Sequence, residues 1–346
     1  MSTSILEAEI HSQPEVISEL LEKETEHVNK IAGDLRGKFK YVVIAARGTS
    51  DNAARYAQYL FGAHNHLQVA LATPSLFTLY ETPPDLSEAL VIGISQSGQS
   101  PDIVSVLSEA HRQGRPTLAI TNLEQSPLAQ AADHVINLHA GLEKAVAATK
   151  TYTTSLAALA LFSCCLENNP ERLKDLQRVP QAMRRAFLDL EPAIKHVERY
   201  RYISHCNVIG RGYNYSTTFE VALKVKELTQ VVAEPYSSAD FRHGPVATVT
   251  RGFPVIVVAP QGAITQDMLD LIAQLKRLGA ELLIISDDPQ HLSIANLALP
   301  IPPGLPEWLT PLVAIIPGQL FAMRLTMEKG FNPDQPEGLT KVTETF

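Results

Sequence analysis

The sequence predicts an α/β protein made of two tandem three-layer α/β/α sandwiches with parallel sheets, related by internal duplication. Three observations predict it. Short, almost purely apolar runs of four to six residues alternate with amphipathic stretches of 10 to 15 residues. Such uninterrupted apolar strands are buried on both faces, which calls for a parallel sheet covered by helices on each side. The runs also recur at a fixed offset, so that one half repeats the other.

Taken in order, residues 1–37 read as an N-terminal helical arm, with Ile10, Val16, Leu20 and Leu21 spaced for one face. The first sandwich is expected over 38–175. Its opening strand, Tyr41-Val-Val-Ile-Ala-Ala-Arg-Gly48, is an apolar run ending in glycine. A second strand, Ala89-Leu-Val-Ile-Gly-Ile-Ser-Gln-Ser-Gly98, is followed by a helical stretch from Asp102 to Arg112. Gln113-Gly114 then turns the chain into the strand Thr117-Leu-Ala-Ile-Thr121. A helical connector is expected over 176–198, and the second sandwich over 199–330. There Asn207-Val-Ile-Gly-Arg-Gly212 places Gly212 164 positions after Gly48. Pro254-Val-Ile-Val-Val-Ala-Pro-Gln-Gly262 places Gly262 164 positions after Gly98. The helix from Asp267 to Lys276 leads through Leu278-Gly279 to Leu282-Leu-Ile-Ile285. The run Leu312 to Ala322 reads as a buried helix, and 331–346, with Pro333, Pro336 and Gly338, as an extended tail carrying Lys341.

Composition narrows the function. With 346 residues the chain can bury two cores, and 45% apolar against 19% charged residues is a globular profile. A net charge of −8 and a pI near 5.8 argue against nucleic acid, which needs clustered Lys and Arg. Small anions stay open, because backbone amides and hydroxyls hold phosphate without much positive charge. Cys164, Cys165 and Cys206 fit neither a metal spacing nor a disulfide framework and read as small buried residues of a reducing compartment. The N-terminus lacks the basic start of a secretory signal. The apolar stretch from Leu156 to Leu166 is far short of the roughly 20 residues of a membrane span. The expected location is cytoplasmic, away from the membrane.

In open parallel sheets ligands collect at the carboxyl ends of strands. One such loop is Ser95-Gln96-Ser97-Gly98-Gln99-Ser100-Pro101-Asp102. It joins free amides, hydroxyls and the positive end of a helix dipole, a combination suited to a phosphate monoester. The plain alternative is an N-cap by Ser100 with Pro101 at the first helical position. One serine suffices for that, leaving Ser95 and Ser97 unexplained. Arg47-Gly48-Thr49-Ser50-Asp51 repeats the pattern after the preceding strand. The equivalent second-half loop, Pro260-Gln261-Gly262-Ala263, lacks the serines, so one phosphate site per chain is expected. In the second half Glu220, Lys224 and Glu227 are spaced four and three apart and share one helical stripe, while Val221, Val225 and Leu228 form another facing the core. The plain alternative is a solvated face with an i,i+4 pair. His243, before Gly244-Pro245, adds a third group suited to proton transfer.

These residues resemble the sugar-isomerase (SIS) family, in the tandem arrangement of the isomerase half of glutamine–fructose-6-phosphate aminotransferases. The resemblance starts at Glu9-Ile-His-Ser-Gln-Pro14. It continues through Arg47-Gly-Thr-Ser50, Ser95-Gln-Ser-Gly98 and Val146-Ala-Ala-Thr-Lys150, then through Glu220-x-x-x-Lys224-x-Lys-Glu227 and Arg242-His-Gly-Pro245. It ends at Asp334-Gln-Pro-x-x-Leu-x-Lys341.

The resemblance implies roles. Gly48, Thr49, Ser50, Ser95, Gln96, Ser97 and Ser100 hold the sugar phosphate, and Ala147 borders the sugar. Glu227 shuttles a proton between C1 and C2. His243 assists ring opening from the neighbouring subunit of a homodimer. Lys341 lies over the sugar as a Schiff-base former, and Lys224 with Glu220 positions the reacting oxygens and proton. No metal or organic cofactor is implied, and the partner is a small phosphosugar. Two departures set the expected reaction. Met1-Ser2 leads straight into the sugar half, without the glutaminase domain that supplies ammonia. Glu143-Lys-Ala-Val-Ala-Ala148 has alanine where the family has a serine, and it looks more like the superfamily's stand-alone deaminases. The expected activity is deamination of glucosamine 6-phosphate to fructose 6-phosphate, with another 6-phosphosugar or a non-catalytic sugar-phosphate sensor as alternatives.

Overall fold

The computed structural model describes residues 4–341. Two compact units divide the chain, and each contains one sheet. The N-terminal unit comprises residues 15–143, 150–177 and 340–341; the C-terminal unit comprises 4–14, 144–149 and 178–339.

The sheet of the N-terminal unit has five strands, β1 (Tyr41–Ala45), β2 (Gln68–Leu71), β3 (Ala89–Ser95), β4 (Thr117–Thr121) and β5 (His134–Asn137). All pair in parallel, in the order β2-β1-β3-β4-β5. Every residue of β3 and β4 is buried, as their apolar runs require. Successive side chains alternate across the sheet. Val43, Ala45, Val91 and Ala119 meet Ile103, Val106 and Leu107 of the helix Pro101–Arg112 on one face. The helix Lys150–Glu167 is buried from Lys150 to Cys165 and packs with the helix Gly48–Asn65.

The C-terminal unit repeats this plan with β6 (His205–Gly210), β7 (Val232–Ser237), β8 (Pro254–Val258), β9 (Glu281–Ser286) and β10 (Leu297–Pro300). Its order is β10-β9-β8-β6-β7, again all parallel. Read from the other edge, this is the order of the first sheet with each strand replaced by its repeat. Ile209, Val255, Val257 and Ile284 pack against Met268, Leu271 and Leu275 of the helix Thr265–Leu278. The helix Thr310–Glu328 is buried along nearly its whole length and packs on the helix Tyr215–Thr229. Among the described residues one stretch, Glu307–Glu328, is long and apolar enough to cross a membrane, but 94% of its window is buried inside the protein.

Residues 5–35 form two helices, Ile5–His11 and Gln13–Leu35. Two of the motifs that carried the resemblance act structurally here. The Glu9 carboxylate accepts the N–H groups of Lys144 and Ala145, fixing the strip that contains Ala147. The Asp334 carboxylate accepts the N–H groups of Ile5 (3.0 Å) and Leu6 (2.8 Å), satisfying free donors at the start of the first helix. The remainder of the expected tail, residues 342–346, lies outside the described residues. Cys164, Cys165 and Cys206 are buried free thiols, and burial pushes the first two up to about 12 and about 11.

Candidate active site

In the order β2-β1-β3-β4-β5 the chain reverses its winding direction between β1 and β3, and the carboxyl ends of those strands flank the resulting crevice. Both hydroxyl-rich segments lie there. Gly48, with φ +52°, opens the helix Gly48–Asn65, and Thr49 and Ser50 stand in its first turn. The segment 95–100 leaves β3 and opens the helix Pro101–Arg112. Ser100 makes no side-chain cap, so capping does not explain its hydroxyl.

The loop is held from within. Gly98 donates its N–H to Ser95 Oγ (3.1 Å) and Gln99 donates to Ser97 Oγ (3.3 Å). In both bonds the serine oxygen accepts, leaving its O–H to donate outward, which an oxyanion requires. Gly98 has φ +61°, and a Cβ there would lie 2.1 Å from Ser126 Oγ, so the tight turn admits only glycine. Gln96 also borders a cavity of about 500 Å³ lined by Asn122, Asn137, His139 and Glu19. His139 Nε2 lies 2.7 Å from the buried Glu24 Oε1.

Sequence reasoning missed an ion pair beside these loops. Arg47 Nε lies 2.7 Å from Asp102 Oδ2, with Asp102 fully buried and Arg47 half-exposed. The signal existed: Arg211 and Asp267 recur 164 and 165 positions later, and they too form an ion pair, at 3.1 Å. Lys341 Nζ donates to Glu143 Oε2 at 2.9 Å, and the buried Glu143 also accepts from Thr151 N–H and Oγ1–H. The N-terminal unit therefore brings together the serine loop and the Gly48–Ser50 turn, and it holds Lys341 as a paired cation on a buried carboxylate.

The C-terminal unit holds the remaining candidates. Glu220, Lys224 and Glu227 do share one stripe of the helix Tyr215–Thr229, and this stripe is not solvated. Glu220 is 0% and Lys224 1% exposed. Lys224 Nζ lies 3.3 Å from Glu220 Oε1 and 2.6 Å from Glu227 Oε2. Burial alone would lower the Lys224 pKa, yet the attraction and hydrogen bonds of the two glutamates outweigh it and hold the ammonium well above the usual lysine range. Glu227 retains partial exposure, with 23% of its side chain open. A carboxylate fixed on one side and open on the other can exchange a proton with a bound molecule. His243 lies exposed on the turn after the helix Ser238–Arg242, where its N–H donates to Asp240 O. Ala147 is buried, and its neighbour Ala148 is half-buried. Among the described residues no three His, Cys, Asp or Glu side chains gather as metal ligands.

Two parallel five-stranded α/β units, one with a serine loop at its crevice and the other with a lysine buried between two glutamates, define a tandem α/β protein built by duplication. The chain belongs to the SIS domain family, whose model matches residues 38–163 and 203–328. It is 33% identical over 345 residues to the glutamine–fructose-6-phosphate aminotransferase [isomerizing] of Pyrococcus horikoshii, covering 96% of this chain and 56% of that one. The chain thus spans about half the length of the curated relatives it matches. Among solved structures, a Silicibacter pomeroyi protein assigned provisionally to the phosphosugar isomerases superposes with a TM-score of 0.85 at 32% identity, covering 96% of this chain and 100% of that one. The C-terminal domain of glucosamine-fructose-6-phosphate aminotransferase from Francisella tularensis superposes at 0.86 with 26% identity, covering 97% and 99%.

Proposed function

We propose that the chain is a phosphosugar deaminase/isomerase that converts glucosamine 6-phosphate and water to fructose 6-phosphate and ammonia. The observation that carries this reading is the partly exposed Glu227 carboxylate held at 2.6 Å by a buried lysine. That is the arrangement of an acid/base group kept in place for repeated proton exchange. The serine loop supports a phosphate monoester as the substrate's anchor, and the likeness to sugar-phosphate aminotransferases supports an amino sugar.

In this proposal both sets of residues act on one substrate. Ser95, Gln96, Ser97, Ser100, Thr49, Ser50 and the Gly48 amide hold the phosphate. His243 passes the ring-oxygen proton and opens the hemiacetal to the C1 aldehyde. Glu227 takes the C2 proton, which the adjacent carbonyl acidifies, while the C1 oxygen gains a proton from water, giving an enolamine. The same carboxyl returns the proton to C1 as the amine nitrogen gives one up to water, leaving an imine at C2 that water hydrolyses to the ketone and ammonia. Lys224 keeps Glu227 oriented, with Glu220 as its second counter-ion. Lys341 leaves Glu143 to reach the sugar carbonyl. We further propose a homodimer in which His243 serves the neighbouring subunit's site, and a cytoplasmic location.

The test is ammonia release from purified protein across a panel of 6-phosphorylated amino sugars. Activity on glucosamine 6-phosphate that disappears in Glu227→Gln is the expected result; ammonia release no greater than in that variant would refute the assignment. The alternative substrate is another 6-phosphosugar such as a fructosamine phosphate, served by the same proton transfer, since the hydroxyl lost at Ala148 leaves the sugar's substituent open. A panel response to that sugar alone selects it.

A further inference from the structure

Among the described residues the His243 side chain makes no hydrogen bond or ion pair of its own, so its place is set by the backbone that carries it. That backbone is the end of the five-residue helix Ser238–Arg242. Phe241 anchors the helix in the core of the C-terminal unit. Its polar attachment is to a single residue. Every side-chain hydrogen bond that leaves the segment 237–243, among the described residues, ends on Asp267. Arg242 Nη1 donates to Asp267 Oδ1 (2.7 Å) and Arg242 Nη2 to the Asp267 carbonyl (2.8 Å). Ser238 donates its hydroxyl to Asp267 Oδ2. Arg211 Nη1 completes the set at 3.1 Å from Oδ1.

Asp267 is well placed for this. It stands in the first turn of the helix Thr265–Leu278, whose Met268, Leu271 and Leu275 are buried in the same core as Phe241. Burial alone would raise its pKa, but hydrogen bonds from Ser238, Arg242 and Arg211 prevail and hold it below the usual carboxylate range. Arg211 precedes the turn Gly212–Asn214, which runs directly into the helix Tyr215–Thr229. One carboxylate therefore ties the root of the helix bearing Glu220, Lys224 and Glu227 to the helix that ends at His243.

The duplicated half lacks the second attachment. Asp102 pairs with Arg47 as Asp267 pairs with Arg211, and it otherwise accepts from its neighbour Ile103 N–H (2.9 Å). The short helix Ser75–Thr78 follows β2 as Ser238–Arg242 follows β7, the repeat of β2. No side chain of that helix bonds Asp102 among the described residues. Only in the second half does the aspartate take two donors from the segment that leads to the histidine.

We infer that Asp267 is a positioning residue: through Arg242 and Ser238 it fixes the turn that presents His243, and so sets the geometry of ring opening. This deepens the proposed function and rests on it for the role of His243, while the attachment of the turn does not. A displaced acid/base group loses rate steeply, by up to about 100-fold for 1 Å.

Hydrogen exchange and steady-state kinetics on the full chain separate the two parts. In Asp267→Ala the amides of 237–243 are expected to exchange at least about tenfold faster, while the helix Tyr215–Thr229 keeps its protection. The kcat for ammonia release from glucosamine 6-phosphate falls by about 10- to 100-fold, with KM within about twofold. Arg242→Met reproduces both changes, and Arg211→Met, which spares the Arg242 and Ser238 contacts, reproduces neither. Asp267→Asn keeps an acceptor for Arg242 and recovers most of the loss. Added to His243→Asn, Asp267→Ala lowers the residual rate no further, because the group it places is already gone. Unchanged exchange over 237–243 in Asp267→Ala overturns the attachment. Faster exchange there with wild-type kcat overturns the positioning role, as does an Arg211→Met as impaired as Asp267→Ala. If the wild type releases no ammonia, the positioning role falls with the proposed function, and the exchange difference alone still shows Asp267 holding the turn.

Discussion

Lys224 is the side chain whose environment matters most to the C-terminal unit. The spacing of Glu220, Lys224 and Glu227 was legible, as was their shared stripe; their burial was not. A stripe of charges looks the same in sequence whether it faces water or a packed helix, and only the helix Thr310–Glu328 against Tyr215–Thr229 decides it. Burial changes the energetics. Removing one partner of a buried ion pair strands the other, at a cost of about 3–5 kcal/mol, whereas an exposed pair contributes under about 1. Lys224→Met is therefore expected to lower unfolding free energy by about 3–5 kcal/mol in urea titrations, because it leaves Glu220 without its cation. The double variant Lys224→Met, Glu220→Gln recovers most of that. A loss under about 1 kcal/mol in the single variant would return the row to the solvated-face interpretation. The pH dependence follows from the raised Lys224 pKa. A lysine held protonated in the fold contributes fully below its unfolded pKa of 10.5, and the contribution fades only as pH climbs above that value. The charge pair is thus constant through neutrality. Arg47 and Asp102 were missed for a different reason: each acts through a partner distant in sequence, and only the recurrence of the pair 164 and 165 positions later hints at them.

Among the elements, the central strands were legible and the edges were not. β3, β4 and β8 are buried at every position and print as unbroken apolar runs. β2, β5, β7 and β10 are partly exposed, and the sequence reading named none of them. β7 even contains Pro235, tolerable because β7 lies at the edge of its sheet. The helix Thr310–Glu328 was recognisable from its apolar run, but the purpose of its Pro317-Gly318 was not. Gly318 lies against the helix bearing the charged row. A Cβ there would lie 2.3 Å from Val221 Cγ2. Gly318→Ala must push the two helices apart or displace Val221, the neighbour of Glu220. We expect a loss of about 1–3 kcal/mol, the usual range for overpacking. Gly318→Ala with Val221→Ala should be less damaged than the sum of the single variants, since the second change vacates the space that the first needs. Strict additivity in denaturation would show that the two side chains do not compete.

At the scale of the whole molecule, duplication was the most legible property. Two glycines at one offset predicted two sheets, and the sheets share a single strand order. What duplication cannot reveal is how the halves came to differ, because divergence lies in which side chain enters which loop. The proposed reaction requires the serines of the first half and the charged row of the second on one substrate. It also requires His243 from a second subunit, which makes the assembly testable without further structural information. His243→Asn and Glu227→Gln are each expected to be nearly inactive alone. Mixed after reversible dissociation, they form heterodimers in which one site combines an intact Glu227 with an intact His243 and the other combines both lesions. Random reassociation makes about half the dimers heterodimers, each with one working site of two, so about a quarter of wild-type activity should return. The turnover of those restored sites should match wild type, and the recovery should vanish if mixing is done without dissociation. If the mixture stays as inactive as its components after demonstrated exchange of subunits, His243 and Glu227 work within one chain or not together, and the shared-site mechanism falls while the phosphate assignment of the serine loop stands on its own test.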